Sequence, residues 1–203
     1  MPQTSYTLEP VIGVPGMPFS PATSNVVESR PALVAIPFGV AVELVVSGGI
    51  EYVQPLSDAG TTSSFLPALY GVSIFDPARE QALPVLGVNP GGIQTATGYA
   101  ANEMVPVMRS GTIYVLTDSA TQQASWANPW PSLGAVNVWH SSDASHFQGV
   151  FTMLAASATT GAEIDACPTS IIGRDIGRQQ TYTNGFGAVF SVAVVELNLP
   201  GTT

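Results

Sequence analysis

The pattern of apolar and polar residues along the chain is that of short β-strands separated by turns. Residues 40–46 form a compact run rich in β-branched side chains, and residues 50–54 alternate between apolar and polar after Ser47-Gly48-Gly49. Two such runs joined by a glycine pair are typical of a β-hairpin. The apolar run from Ala68 to Phe75, which ends at Asp76-Pro77, predicts a further strand.

A second hairpin is predicted in the middle of the chain. Residues 104–109 and 112–116 are rich in β-forming side chains and are separated by Ser110-Gly111, which is a short-turn signal. Because Pro106 removes a backbone donor, we expect its strand to lie at a sheet edge or at a bulge. Two later strands are expected as well, an alternating one at residues 135–139 and a long, central one at residues 188–197.

Helix signals are weak throughout. Residues 148–158 could form a short helix or another strand, since the run is too short for its period to decide. Many short strands with frequent Gly and Pro turns predict an all-β fold, a β-sandwich or a barrel-like (jelly-roll-like) domain.

The first thirty or so residues differ from the rest of the chain. Six prolines between Pro2 and Pro31 exclude a helix, yet the residues between them are too apolar for a solvated tail. An extended apolar segment lies against something, and the residues leave open whether that is its own domain or a neighbouring chain. We predict an extended N-terminal arm over residues 1–32 and a β-rich domain over residues 33–203.

Composition narrows the range of partners. Charged residues make up 9% of the 203-residue chain, against about 25% in ordinary soluble domains. The chain has five arginines, no lysine and a formal net charge of −9, which argues against nucleic acid and against an anionic membrane as partners. A sparsely charged surface is typical of one covered by other subunits, although a monomer solubilised by Ser, Thr, Asn and Gln would look similar.

Targeting and disulfide signals are also missing from the sequence. The start has no signal peptide, and the most apolar stretch, residues 32–46, is interrupted and shorter than the roughly 20 residues of a membrane span. We therefore expect synthesis in the cytosol. The single cysteine, Cys167, cannot form an intrachain disulfide.

The sequence offers little catalytic chemistry. The two histidines, His140 and His146, are spaced with Asp143 in a way that suits neither helical nor strand metal ligands. No Gly-x-Ser-x-Gly elbow supports a hydrolase triad, and the glycines of residues 87–92 lack the lysine of a phosphate loop. We predict no catalytic, cofactor-binding or metal site.

An aromatic loop leaves three interpretations open. Trp126 and Trp130 lie close together in a proline-rich stretch. This loop could pack over the sheet, stack on a sugar, or fill a subunit interface, where aromatic residues are enriched.

Several sequence segments, in the same order along the chain, resemble those of the structural cement or head decoration family of tailed phages. They are Gly13-Val14-Pro15-Gly16-Met17, residues 36–42, residues 98–115, and Ile176-Gly177-Arg178 followed by the strand Val189 to Leu197. The stretch at about 120–172 is longer than the family pattern, and we expect an insertion there.

The resemblance implies a non-enzymatic β-rich protein that binds the outer face of the assembled capsid and bridges capsomers as a homodimer or homotrimer. The major capsid protein would be its partner, and the virion its location. The expected capsid contacts are apolar residues of the arm: Tyr6, Leu8, Val11, Ile12, Met17 and Phe19. The alternative functions are a carbohydrate-binding or host-adhesion module that uses Trp126 and Trp130, and a hydrolase.

Overall fold

The chain folds into an all-β structure. The computed structural model describes residues 13–19, 25–56, 69–77, 98–117, 133–140, 148–152, 157–159, 162–167, 170–174, 180–183 and 189–199. Every element whose bounds it gives is a strand. The predicted all-β class is confirmed. No helix within these ranges is long and apolar enough to cross a membrane.

Thirteen strands form one curled sheet, and two more form a small separate one. In chain order they are β1 (Val26–Pro31), β2 (Ile36–Pro37), β3 (Ala41–Ser47), β4 (Ile50–Pro55), β5 (Leu69–Ser73), β6 (Gly98–Tyr99), β7 (Met104–Thr117), β8 (Leu133–Ala135), β9 (Asn137–Trp139), β10 (Phe151–Thr152), β11 (Ser157–Thr159), β12 (Ala162–Ala166), β13 (Ile171–Arg174), β14 (Gln180–Thr183) and β15 (Val189–Asn198).

One end of the large sheet curls back on itself. The strands run in the order β4, β3, β5, β7 and β1 through antiparallel pairs. Just beyond β1, Ala32 forms a parallel bridge with Val53 of β4, and the Leu33 N–H donates to the Val53 carbonyl at 2.8 Å. These five strands therefore form a barrel unit that is closed by backbone pairing at Val53.

The strand β7 crosses the centre of the fold as one continuous strand. The prediction of a hairpin at residues 104–116 is therefore wrong. Ser110 and Gly111 do not turn the chain. Gly111 has φ +124°, a conformation open to glycine, and the strand continues through it. The pairing partner changes here instead, from β1, whose pairs end at Ser110, to β15, whose pairs run from Ser110 to Thr117. Both halves of the predicted hairpin find distant partners rather than each other.

Pro106 lies in this central strand, so the predicted edge or bulge position is also wrong. Its strand pairs with β1 on one side and β5 on the other. The Ile74 N–H donates to the Pro106 carbonyl at 2.9 Å, but proline has no N–H to return to the Ile74 carbonyl. The Tyr99 hydroxyl donates to that carbonyl at 2.7 Å. A side chain thus supplies the missing donor, which lets proline occupy the sheet interior.

The elements that depend on neighbouring residues match their predictions better. The first predicted hairpin is β3–β4, with Ser47 paired to Ile50 and positive φ at Gly48 and Gly49, as a two-residue type I′ turn requires. The predicted strand at 135–139 is two short strands with different partners, β8 and β9. The ambiguous stretch 148–158 contains β10 and β11. The long strand β15 lies between β7 and its partners β13 and β14.

Buried side chains line both faces of the curled sheet. Val42, Val53 and Val107 belong to one apolar cluster, whereas Ala41 and Met108, at adjacent strand positions, belong to another. Because successive side chains of a strand point to opposite faces, the sheet is covered on both sides, in keeping with the low charge of the chain.

The predicted arm is divided between two positions. Within residues 1–32, Val26–Pro31 forms β1 of the large sheet, and residues 13–19 lie along β7. The domain boundaries at residue 32 and the insertion at about 120–172 stay predictions.

Candidate functional site

Residues 13–19, here called the strap, extend the sheet along one edge of β7. The Tyr114 N–H donates to Met17 at 2.9 Å, and its carbonyl accepts from Gly16 at 2.7 Å. The Phe19 N–H donates to the Thr112 carbonyl at 2.8 Å. Since β15 also pairs with this part of β7, the strap occupies the opposite edge. Strand addition of this kind depends on main-chain hydrogen bonds.

Two glycines allow the strap to lie so close to the sheet. A Cβ on Gly13 would lie 2.2 Å from the Tyr114 ring. Gly16 has φ +82°, and a Cβ there would lie 2.7 Å from the Phe75 nitrogen and 2.8 Å from the Ser73 oxygen. A side chain at either position would therefore collide with the sheet, at Gly16 with rigid backbone.

Met17 and Phe19 are half-buried on the protein's own sheet. Both pack against the buried cluster of Tyr114, Val192 and Val194, and the rings of Phe19 and Tyr114 are 5.5 Å apart. This part of the arm thus packs on its own domain, one of the two arrangements that the sequence left open. A capsid contact through these two residues stays a prediction and would involve their outer surfaces.

The other predicted site residues lie outside the described ranges. These are Tyr6, Leu8, Val11 and Ile12 of the arm, and Trp126 and Trp130 of the aromatic loop. His140 is buried after β9, and Cys167 is a buried cysteine that forms no disulfide. Within the described parts of the chain, no three His, Cys, Asp or Glu residues group as metal ligands would.

A cluster of charged side chains fills one end of the barrel unit, and sequence reasoning missed it. This mouth cluster consists of Glu28, Arg30, Glu51, Tyr70 and Arg109. Arg30 bridges Glu28 at 3.3 Å and Glu51 at 3.2 Å. The Tyr70 hydroxyl donates to the Glu28 carboxylate. Arg109 lies 3.8 Å from Glu28 and stacks on Tyr70 with its guanidinium 4.2 Å from the ring centroid.

The mouth cluster joins four strands and links β1 to β4 close to their backbone bridge at Ala32 and Val53. Its members come from β1, β4, β5 and β7, and Tyr70 and Arg109 are buried. Burial raises the pKa of Tyr70, and the hydrogen bond to Glu28 raises it further, while Arg109 acts in the opposite direction. A charge buried in this way is stable only when paired, so the cluster fixes β1 to the rest of the barrel unit. No spacing in the sequence signals it, because its residues lie far apart in the chain.

The exposed large hydrophobic residues also gather on the barrel unit. Within the described ranges, each of them lies on β1, β3, β4, the start of β7, or the bend after β1. The two next to the β3–β4 turn stand out, with Val46 70% exposed and Ile50 53% exposed. The full set of exposed large hydrophobic residues in the described ranges is Val26, Val27, Val34, Val46, Ile50 and Met104. The pair beside the β3–β4 turn lies close together, and neighbouring exposed hydrophobics mark interaction surfaces more often than scattered ones do.

Comparison with known families adds the deciding observation. Residues 1–197 match the family described as structural cement protein (E217 gp24/Pam3 gp6). The chain belongs to this family. The resemblance drawn from the sequence phrases is therefore confirmed, and it extends over the strap, the barrel unit and β15. Among curated proteins, none matches the chain. Membership in a phage cement family places this protein among capsid components. It does not favour the alternative function of carbohydrate binding or host adhesion.

Proposed function

We propose that this cement protein binds the outer face of the assembled phage head, bridges neighbouring capsomers through the major capsid protein, and has no catalytic activity. The family match over residues 1–197 is the observation that carries the proposal. A ligand that binds the assembled lattice and not the separated subunits stabilises the lattice by mass action. Each site need contribute little, because a head presents many copies of it.

The charge of the chain supports a protein partner. With a net charge of −9 and five arginines, the chain lacks the dense positive charge that holds phosphate backbones. Two of those arginines, Arg30 and Arg109, are already engaged in the mouth cluster. The arginines of the chain would then contribute little to contact with the shell, which leaves apolar surface, backbone hydrogen bonds and acidic side chains.

Binding to heads tests the proposal directly. Purified protein is mixed with heads that lack cement protein and with unassembled capsid protein, and each mixture is sedimented. We expect binding to heads and not to unassembled subunits, together with a higher melting temperature of the decorated heads. Protein that stays in the supernatant in the presence of heads would overturn the proposal.

The contribution of the arm needs a deletion that spares the strap. Removing residues 2–12 eliminates the predicted contacts Tyr6, Leu8, Val11 and Ile12 and retains Gly13. We expect this variant to melt at the wild-type temperature and to bind heads more weakly. Unchanged binding would exclude the arm as a capsid contact while leaving the cement function intact. Light scattering of the free protein tests whether it is a homodimer or homotrimer.

A further inference from the structure

We propose that the tip of the β3–β4 hairpin, residues 46–50, inserts into an apolar groove on the assembled shell and is a principal capsid contact of this protein. The inference rests on the proposed cement function and names a surface for it. It adds a second contact beside the predicted arm residues, carried by a different part of the chain.

On its β3 side the hairpin extends beyond the strand that supports its base. β3 pairs with β5 only from Ala41 to Glu43, whereas its pairing with β4 continues to Ser47. The remaining four residues, 44–47, span roughly 13 Å at about 3.3 Å per residue. A Cβ placed on Gly48 or Gly49 would meet nothing within 4 Å. The tip is therefore a projection with open space around its turn.

Each face of this projection carries one exposed apolar side chain at the tip. Val46 lies opposite Glu51 and Ser47 lies opposite Ile50, so Val46 and Ile50 belong to opposite faces of the two-stranded ribbon. They are 70% and 53% exposed. A flat surface could cover only one of these two side chains, whereas a groove that receives the tip removes both from water.

Charge indicates what lines that groove. Glu51 is the single charged residue between Leu44 and Tyr52, and it is paired with Arg30. The tip thus offers no unpaired charge to a partner, and an uncharged, apolar groove fits it. The cement function proposed from the match over residues 1–197 requires a contact with the shell, which favours the shell over a second copy as the occupant.

The base of the hairpin holds the tip in place before binding. The buried Glu43 accepts a hydrogen bond from the Gln54 side chain at 2.5 Å across the two strands. The Arg30–Glu51 pair ties the outer half of β4 to β1 and the mouth cluster. A preorganised projection loses less conformational entropy when it binds.

Paired threonine substitutions test the contact. In Val46→Thr/Ile50→Thr, β-branched side chains and hence strand propensity are retained while the apolar surface is reduced. The matched control is Val34→Thr, which changes a side chain exposed to 46% in the bend after β1. Each protein is titrated onto cement-free heads in low and high salt. We expect the double variant to bind roughly 100-fold more weakly, about tenfold for each side chain, and the control to bind as wild type.

The outcomes separate this inference from the cement function. Wild-type binding that salt leaves unchanged and that the double variant loses supports the hairpin contact. Equal binding by wild type and double variant overturns the hairpin contact and leaves the cement function standing. A double variant that binds heads normally and loses self-association would assign the tip to a second copy and also overturn it. Failure of the wild-type protein to bind heads overturns both.

A labelling experiment keeps the test independent of the double variant. The natural Cys167 is buried, so a maleimide reagent would react with Ser47→Cys at the exposed tip. We expect head binding to protect Ser47→Cys from the reagent, and Ala135→Cys, exposed on β8, to stay reactive. Equal reactivity of Ser47→Cys on heads and in solution would contradict insertion of the tip.

Discussion

Replacing Gly16 by alanine should release the strap from the sheet. Gly16 has φ +82°, and a Cβ there would lie 2.7 Å from the Phe75 nitrogen and 2.8 Å from the Ser73 oxygen. Both are backbone atoms of β5 and the residues that follow it, so neither can move without disturbing the barrel unit. The alanine is accommodated only if the strap lifts away.

The expected loss follows from what the strap contributes. A left-handed conformation costs a residue with a Cβ about 1–2 kcal/mol. Half-burial of Met17 and Phe19 contributes about 2 kcal/mol in total, and each backbone hydrogen bond to β7 adds about 0.5–1.5 kcal/mol. A strap that lifts away avoids the left-handed cost but loses the burial and its three hydrogen bonds to β7, so we expect Gly16→Ala to lower the free energy of unfolding by about 4–6 kcal/mol.

Gly48→Ala is the matched control. Gly48 also has a positive φ, +60°, but a Cβ there would meet nothing within 4 Å. Its substitution should cost only the conformational part, about 1 kcal/mol. Denaturant unfolding followed by tryptophan fluorescence, to which the buried Trp139 contributes, measures both variants.

Hydrogen exchange shows whether the strap has lifted. The Tyr114 amide donates to Met17, so Gly16→Ala should accelerate its exchange while the amides that bond β7 to β15 stay protected. Equal destabilisation by the two alanine variants, or an unchanged Tyr114 amide, would refute the steric reasoning.

Three further predictions concern the buried polar groups. Glu28→Gln in the mouth cluster should lower stability by about 1–3 kcal/mol in denaturant unfolding, whereas Glu51→Gln, at a side chain 53% exposed, should change it by at most about 0.5 kcal/mol; equal effects would contradict the role given to Glu28. Burial raises the pKa of Tyr114 above its ordinary 10.0, so its contribution is complete below pH 10 and is lost as pH rises through the folded-state pKa. Tyr114→Phe should therefore flatten the fall in melting temperature above pH 10, and an unchanged slope would count against this. Tyr99→Phe removes the donor that replaces the missing N–H of Pro106 and should cost about 1 kcal/mol, less in a Pro106→Ala background if the restored N–H takes over; additive losses would exclude the compensation.

Local sequence signals predict the elements that depend on neighbouring residues. The β3–β4 hairpin follows from two β-rich runs and the Gly48-Gly49 turn, all within a short stretch. The same reasoning failed at Ser110-Gly111, because a turn signal competes there with strand pairing to β1 and β15, which are distant in sequence. The edge or bulge prediction for Pro106 failed for a related reason, because the donor that replaces its missing N–H comes from the Tyr99 side chain.

The candidate surfaces were harder to predict than the strands. The glycines of the strap belong to a segment that resembles the family, but their physical role depends on Tyr114 and on the backbone near Phe75, which no local pattern reveals. The mouth cluster draws on four strands and has no characteristic spacing. Val46 and Ile50 were interpreted as strand residues because apolarity in a sequence does not show which side chains remain exposed.

A density map of decorated heads tests the central claim most directly. The account predicts the β-rich domain on the outer surface of the shell, touching at least two capsid subunits, with the turn at Gly48-Gly49 lowered into a crevice. A map of fully assembled heads, incubated with an excess of the chain and showing no added density on that surface, would contradict it.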